Sequence, residues 1–225
     1  MPEFRWPTTQ QHTLILGSNG SGKSILGFHM LSNAALNKMP WVIIDFKDEE
    51  IANSIPYRKY LDFKDTPKEP GIYILPCNIG DEAKLEQFLT RIHKRERTGL
   101  FYDEGYMLPH RAPFKAVNTI YTQGRSKHIP VITLSQRPSW ISRYAYSEAA
   151  HIAYMRLNDR RDRKIVSEFT PDAKFWNLDI HPEKYHVKWF DTSRNHSFLL
   201  SPSPKPDAIL QRFEDRLRPV RKVHW

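Results

Sequence analysis

The run Gly17-Ser18-Asn19-Gly20-Ser21-Gly22-Lys23-Ser24 fits the pattern G-x-x-x-x-G-K-[ST]. A stretch of this kind constrains fold and ligand together. Its glycines let the backbone curl until successive N–H groups point inward around a polyphosphate. Lys23 is expected to reach the β- and γ-phosphates, and Ser24 to hold Mg2+ through its hydroxyl. The flanks agree with that reading. Thr13-Leu14-Ile15-Leu16 has the apolar character of a buried strand, and Ile25, Leu26, Phe28, His29, Leu31 and Ala35 follow at helical spacing. Strand, glycine-rich loop and helix is the order the chemistry needs, because the helix N-terminus adds partial positive charge to an anion site.

Further apolar runs repeat the theme. Strands are expected at Trp41–Asp45, Gly71–Cys77, Gly99–Glu104, Ile129–Gln136 and Ala149–Met155. Helices are expected at Asp81–Lys94, at Pro113–Lys127 with Pro at its start, and at Asp159–Phe169. Lys47–Pro70 is charged and reads as an irregular surface excursion, while Tyr185–Asp191 and Ser197–Leu200 suggest a late strand pair. Ile209–Trp225 is basic and part-helical in pattern. The alternation predicts an α/β fold with a mainly parallel central sheet flanked by helices, plus a small β addition near the C-terminus. One domain spanning 1–225 is expected, with its core at about 12–170 and the strand pair and basic tail at about 184–225.

Ligands of such sheets bind beyond the carboxyl ends of the strands. The phosphate loop, Asp103-Glu104 and Gln136 all close predicted strands, so chain order alone can gather them around one triphosphate. Asp103 is expected to orient the Mg2+ shell through water, and Glu104 to polarise an attacking water. A second acid in that place favours hydrolysis, whereas a small-molecule kinase must keep water away from ATP. The Gln136 amide can bond the γ-phosphate or the water. Asp45 and Lys47 lie at another strand end on the same side and can support the site.

Lys and Arg number 34 against 25 Asp and Glu, a formal charge of +9 that favours a polyanionic partner, nucleic acid most simply. Three basic clusters stand out, at Arg91–Arg97, Arg160–Lys164 and Arg212–Lys222; each is either a solvated face or a grip on phosphates. With Cys77 alone there is no internal disulfide, and a reducing compartment is the default. No apolar stretch approaches the ~18 residues of a membrane span, and Met1–Gln11 lacks the apolar core of a signal peptide, so an intracellular, unsecreted protein is expected. The ten histidines show no metal-ligand spacing, and no zinc is assigned. Trp176 and Trp189 read as core or interface residues.

The segment Gln123-Gly124-Arg125-Ser126-Lys127-His128-Ile129-Pro130-Val131-Ile132-Thr133-Leu134-Ser135-Gln136-Arg137-Pro138-Ser139 carries a Gly-Arg pair, an apolar strand and then Ser-Gln-Arg-Pro. Taken with the phosphate loop and the acid pair in this order, it resembles the FtsK–HerA superfamily of DNA-pumping ATPases, over roughly Thr13 to Phe169. The resemblance implies a RecA-like P-loop ATPase of the ASCE class and a homo-oligomeric ring, a hexamer, moving double-stranded DNA through its pore. It also implies an ATP site shared between neighbours, with an arginine supplied in trans. Arg125 is the favoured arginine finger; Arg137 is the alternative, or a brace for the Gln136 turn. In its size the chain resembles the genome-packaging ATPases of tailless viruses with an internal membrane. That likeness implies capsid-vertex partners, residence in the host cytoplasm and virion, and a monomeric state when isolated as an option. Two other readings stay open: a P-loop kinase acting on a nucleoside or other small molecule, and a morphogenesis ATPase of the filamentous-phage type.

Overall fold

The structure is a computed structural model that describes residues 3–170, 177 and 182–219; Trp176 and residues 220–225 of the basic tail lie outside that range. The elements in chain order are β1 (His12–Leu16), α1 (Lys23–Asn33), β2 (Pro40–Asp45), α2 (Glu50–Asn53), β3 (Lys59–Tyr60), β4 (Gly71–Pro76), α3 (Glu82–Arg95), β5 (Gly99–Tyr102), α4 (Ala116–Gln123), β6 (Val131–Ser135), α5 (Tyr144–Ser147), β7 (Ala149–Tyr154), α6 (Arg160–Glu168), β8 (Val187–Asp191), β9 (His196–Leu200) and α7 (Pro206–Leu217). Short 3-10 turns occupy Gly105–Met107 and Pro138–Trp140. The strands form one sheet in the order β3-β4-β2-β5-β6-β1-β7-β8-β9. All pairings from β3 to β7 are parallel; β7–β8 and β8–β9 are antiparallel.

The central strands are apolar on both faces, as strands covered on both sides must be. Successive side chains alternate between two cores. Leu14, Leu16, Val42, Ile44, Leu100 and Tyr102 face the layer that includes α3 and α4, through Phe88, Ile92, Val117 and Ile120. Ile15, Ile43, Phe101 and Leu134 face α1 and α7, through Phe28, Leu31, Ile209 and Phe213. Helix α1 lies close on the sheet because Gly27 has no side chain: a Cβ there would come within 2.9 Å of a Leu134 methyl and 3.1 Å of the Phe101 ring. Phe28 meets Phe101 with ring centroids 4.8 Å apart. Trp189 of β8 is fully buried in the α1-side core.

Four expectations change. The Lys47–Pro70 excursion contains a helical turn, α2, and an edge strand, β3, whose two exposed residues carry no apolar signal. Helix α4 starts at Ala116 rather than Pro113 and stops at Gln123. Its N-terminal capping acceptor comes from α3, where the Glu86 carboxylate accepts from Lys115 N and Ala116 N at 2.9–3.0 Å. The strand before the acid pair ends at Tyr102, and Tyr185 precedes β8 in a turn. In the C-terminal cluster, Arg212 donates to Asn33 Oδ1, and Arg216 donates to Ser32 O and Ala34 O, the carbonyl end of α1. Cations there also suit the helix dipole.

Candidate nucleotide site

The phosphate loop leaves the buried end of β1 and is pinned by backbone bonds. Gly17 N donates to Ser135 O (3.2 Å), Ser18 N to Arg156 O (2.7 Å) and Ser21 N to Ser18 O (3.1 Å). Gly22 ends the loop at φ 92°, a left-handed conformation that glycine adopts without strain, and so turns the chain into α1. The N–H groups of Asn19, Gly20, Gly22, Lys23 and Ser24 make no hydrogen bond to a described residue. The Ser21 hydroxyl is likewise buried without a partner. Unpaired donors gathered at a helix N-terminus form an anion cradle.

Across from the loop, Asp103 and Glu104 follow β5, and each is only 1% exposed. Lys23 Nζ lies 3.9 Å from Glu104 Oε1. Lys47 donates a hydrogen bond to the same oxygen. Lys47 reaches it because the Asp45 carboxylate accepts from Lys47 N (3.0 Å) and Glu49 N, fixing the turn after β2. Burial disfavours the Lys47 ammonium, but its hydrogen bond and attraction to Glu104, together with Asp103, outweigh this and raise its pKa. Both Asp103 oxygens and Glu104 Oε2 are buried without a hydrogen-bond partner. Burial, then the charges of Glu49 and Glu104, push the Asp103 carboxyl up to about 7 against the pull of Lys47 and Lys23.

These residues fit Mg2+. Its ligands are hard oxygens, and it is ordinarily shared between one or two carboxylates, water and substrate phosphates. Asp103 offers two unengaged buried oxygens, and Ser24 opens the helix behind the loop. Among the described residues no group of three or more His, Cys, Asp or Glu could hold a metal without such help.

The third part is the turn after β6. Gln136 Nε2 donates to Tyr106 Oη at 3.3 Å. Arg137 sits 3.7 Å from Asp159 and 3.9 Å from Asp162, with its guanidinium 5.5 Å from the Trp140 ring centroid. Buried Asp162 accepts from Ser139 N (2.9 Å) and Ser139 Oγ (2.7 Å). Asp159 caps α6, accepting from Arg161 N and Asp162 N. The start of α6 is therefore tied to the Gln136 turn. Ser18, Asn19, Gln136, Arg137, Asp159 and Asp162 line a polar cavity of about 380 Å³ beside the loop.

Arg125 stands elsewhere. It is exposed in the connection before β6, at the amino end of the sheet, whereas the loop, the acid pair and Gln136 lie at the carboxyl end. Five residues of β6 separate the two ends, roughly 15 Å. The structure thus brings together Gly17–Ser24, Asp103, Glu104, Gln136 and Arg137, and leaves Arg125 apart from its own chain's site.

Over 218 residues the chain is 36% identical to the DNA packaging ATPase P9 of Enterobacteria phage PRD1, covering 94% of this chain and 95% of that protein. The chain belongs to the P9 family. No family model matches it. Among solved structures, the genome packaging NTPase B204 of Sulfolobus turreted icosahedral virus 2, in complex with AMPPCP, aligns with a TM-score of 0.73 at 16% identity, over 88% of this chain and all of B204. The conjugation coupling protein TcpA of pCW3 aligns with a TM-score of 0.62 at 15% identity, over 90% of this chain and 64% of TcpA. At such identities these two likenesses speak to fold alone, and the P9-family chain shares theirs. Sequence reasoning missed Tyr106, Asp159 and Asp162 as site residues of this P9-family chain. The last two lie in a run whose arginines drew attention to charge, although Asp159 before a charged helix is an N-cap signal.

Proposed function

We propose that this chain is an ATP-hydrolysing motor that moves double-stranded DNA into a preformed viral capsid. The observation that carries the reading is the buried Asp103-Glu104 pair facing Lys23 of the phosphate loop, in a chain 36% identical to a DNA packaging ATPase. The free N–H groups of the loop and Lys23 hold the polyphosphate. Ser24 and Asp103, the latter through water, would hold Mg2+, which would supply positive charge against the phosphates. Glu104 orients the attacking water and draws its proton, with Lys47 and Lys23 holding the carboxylate in place. Gln136 reaches the γ-phosphate from the next strand end. A buried carboxylate poised for water disfavours the kinase reading.

Subunits form a homo-oligomeric ring, a hexamer, around DNA, on the capsid vertex in host cytoplasm and virion. Arg125, on the opposite end of the sheet from its own site, serves a neighbour's ATP, and Arg137 braces the Gln136 turn through Asp159 and Asp162. DNA phosphates are gripped without base reading. All three basic clusters bond their own chain in part, through Arg91 and Arg95, through Arg163, and through Arg212 and Arg216, and Arg160–Lys164 begins the helix tied to the Gln136 turn. That helix is the coupling element in this reading. No described helix is long and apolar enough to cross a membrane. The test is ATP hydrolysis with and without long double-stranded DNA across protein concentration. DNA stimulation that rises cooperatively with concentration supports the motor; DNA-independent turnover by a monomer overturns it.

A further inference from the structure

Two lysines from separate elements meet at one atom. Lys23 Nζ lies 3.9 Å from Glu104 Oε1, and Lys47 donates a hydrogen bond to that same oxygen. The two ammonium groups therefore stand within a few ångströms of each other. The lysine of a phosphate loop reaches the β- and γ-phosphates. A phosphate oxygen held by Lys23 on its Glu104 side is then within reach of Lys47 as well. We propose that Lys47 is a second phosphate-binding lysine: when ATP binds, its ammonium passes from Glu104 to a γ-phosphate oxygen and leaves Glu104 Oε1 open to the attacking water. The inference rests on the reading of the loop as an ATP site and of Glu104 as the group that meets the water.

The turn that carries Lys47 holds its backbone still and leaves its side chain room to swing. On one side, the Asp45 carboxylate accepts from Lys47 N at 3.0 Å and from Glu49 N at 3.2 Å. On the other, Asp48 takes a left-handed φ of 57°, and its carboxylate accepts from Asn53 Nδ2 at 2.6 Å. Phe46 packs partly buried against the core. Of the three charged side chains at Glu104 Oε1, Glu104 and Lys23 are buried, whereas Lys47 is 34% exposed. Lys47 is thus the member of the trio that can change partner by rotating its side chain alone.

Charge favours the exchange. A terminal phosphate carries about two negative charges at neutral pH, against one on a carboxylate. An ammonium on a phosphate oxygen makes a charge-assisted hydrogen bond, which is of the strong class. In the transition state, charge spreads over the γ-oxygens, so a cation placed there acts where it is most needed. A lysine that only braced Glu104 would treat ATP and ADP alike. A lysine that moves to a γ-oxygen tells them apart, because ADP has none.

Titration calorimetry with Mg2+ on the full chain separates the two roles, with the β,γ-methylene analogue of ATP and with ADP as probes. Lys47→Met should weaken the ATP analogue about 10–100-fold, the worth of one hydrogen bond to a charged group, and leave ADP within about twofold of the parent. Lys47→Arg keeps the charge and should retain most of the affinity for the analogue. Equal weakening of ADP, or no loss for either probe, overturns the exchange. Lys47→Gln guards against misfolding of the methionine variant. Its amide keeps a donor for Glu104, so the resting contact stays, and the same selective loss is expected; parent-like binding of the analogue overturns the proposal. Glu104→Gln tests the starting partner. It should tighten the ATP analogue and not ADP, and adding Lys47→Met should remove that gain. A gain that survives in the double variant comes from relieved repulsion and overturns the exchange. A parent chain that binds neither probe defeats the ATP reading itself, an outcome distinct from the others.

Discussion

The two ends of the sheet bury polar groups in different settings. At the carboxyl end, Lys23, Asp103 and Glu104 are nearly inaccessible, acids set against an ammonium group, with three carboxylate oxygens unpaired. At the amino end, burial is met by neutrality: His12 and His151 are both pushed down to about 4, chiefly by desolvation. Leaving carboxylate oxygens unpaired in a low-dielectric place is costly unless something arrives to meet them. Shedding charge requires no partner. The difference marks the carboxyl end as a place awaiting ligand and the amino end as scaffold, with exposed Arg125 as an exception.

That exception provides the strongest way to break the contrast. If Arg125 reaches a neighbour's ATP, Arg125→Ala should lower DNA-stimulated hydrolysis by about 10³-fold or more. Mixing Arg125→Ala with Lys23→Ala should restore part of the rate, since one intact site can form between the two variants. No recovery at any ratio would return Arg125 to the scaffold. At the carboxyl end, Glu104→Gln should cut turnover by about 10²–10⁴-fold while ATP still binds. Normal turnover in that variant would remove Glu104 from the chemistry.

Asp162 tests a smaller link, between the Gln136 turn and α6. Asp162→Ala leaves Ser139 N and Oγ without their acceptor and should cost about 3 kcal/mol in urea unfolding, charged hydrogen bonds being worth about 1.5–3 each. Hydrolysis should fall more than ATP affinity, because the turn lies away from the loop's own donors. Loss of stability with an intact rate would make the link purely structural.

How much of this was legible follows from how local each signal is. The loop Gly17–Ser24 and the apolar runs of the central strands announce themselves within a few residues, so the parallel core was readable. Strand β3 was not, because Lys59 and Tyr60 are both exposed and show no apolar alternation. The start of α4 was misplaced because its capping acceptor, Glu86, belongs to another helix. In the site, Asp103, Glu104 and Gln136 stood out as strand-end residues. Lys47 was only a supporting candidate, and Asp162 was hidden among arginines, since their partners become visible only when separate elements pack. Tyr185 lay under a strand expectation; its ring faces the loop because of a left-handed backbone that no spacing rule encodes.

The amino end makes the smallest but cleanest prediction. His12 is held down by burial and by the charge of Arg125, against a hydrogen bond to the Tyr121 carbonyl. His151 is held down by burial and by Arg194, against the attraction of Asp191. Because both folded-state values lie below the ordinary 6.5, the stability they contribute is fully present above pH 6.5 and is lost as pH falls from there toward about 4. At pH 5 each should cost about 2 kcal/mol relative to pH 7.5. Urea unfolding at the two pH values measures the loss, and His12→Gln and His151→Gln should each remove its own share. If either variant loses as much stability on acidification as the parent, that histidine is not the group being charged, and the amino end is not neutral in the way its burial requires.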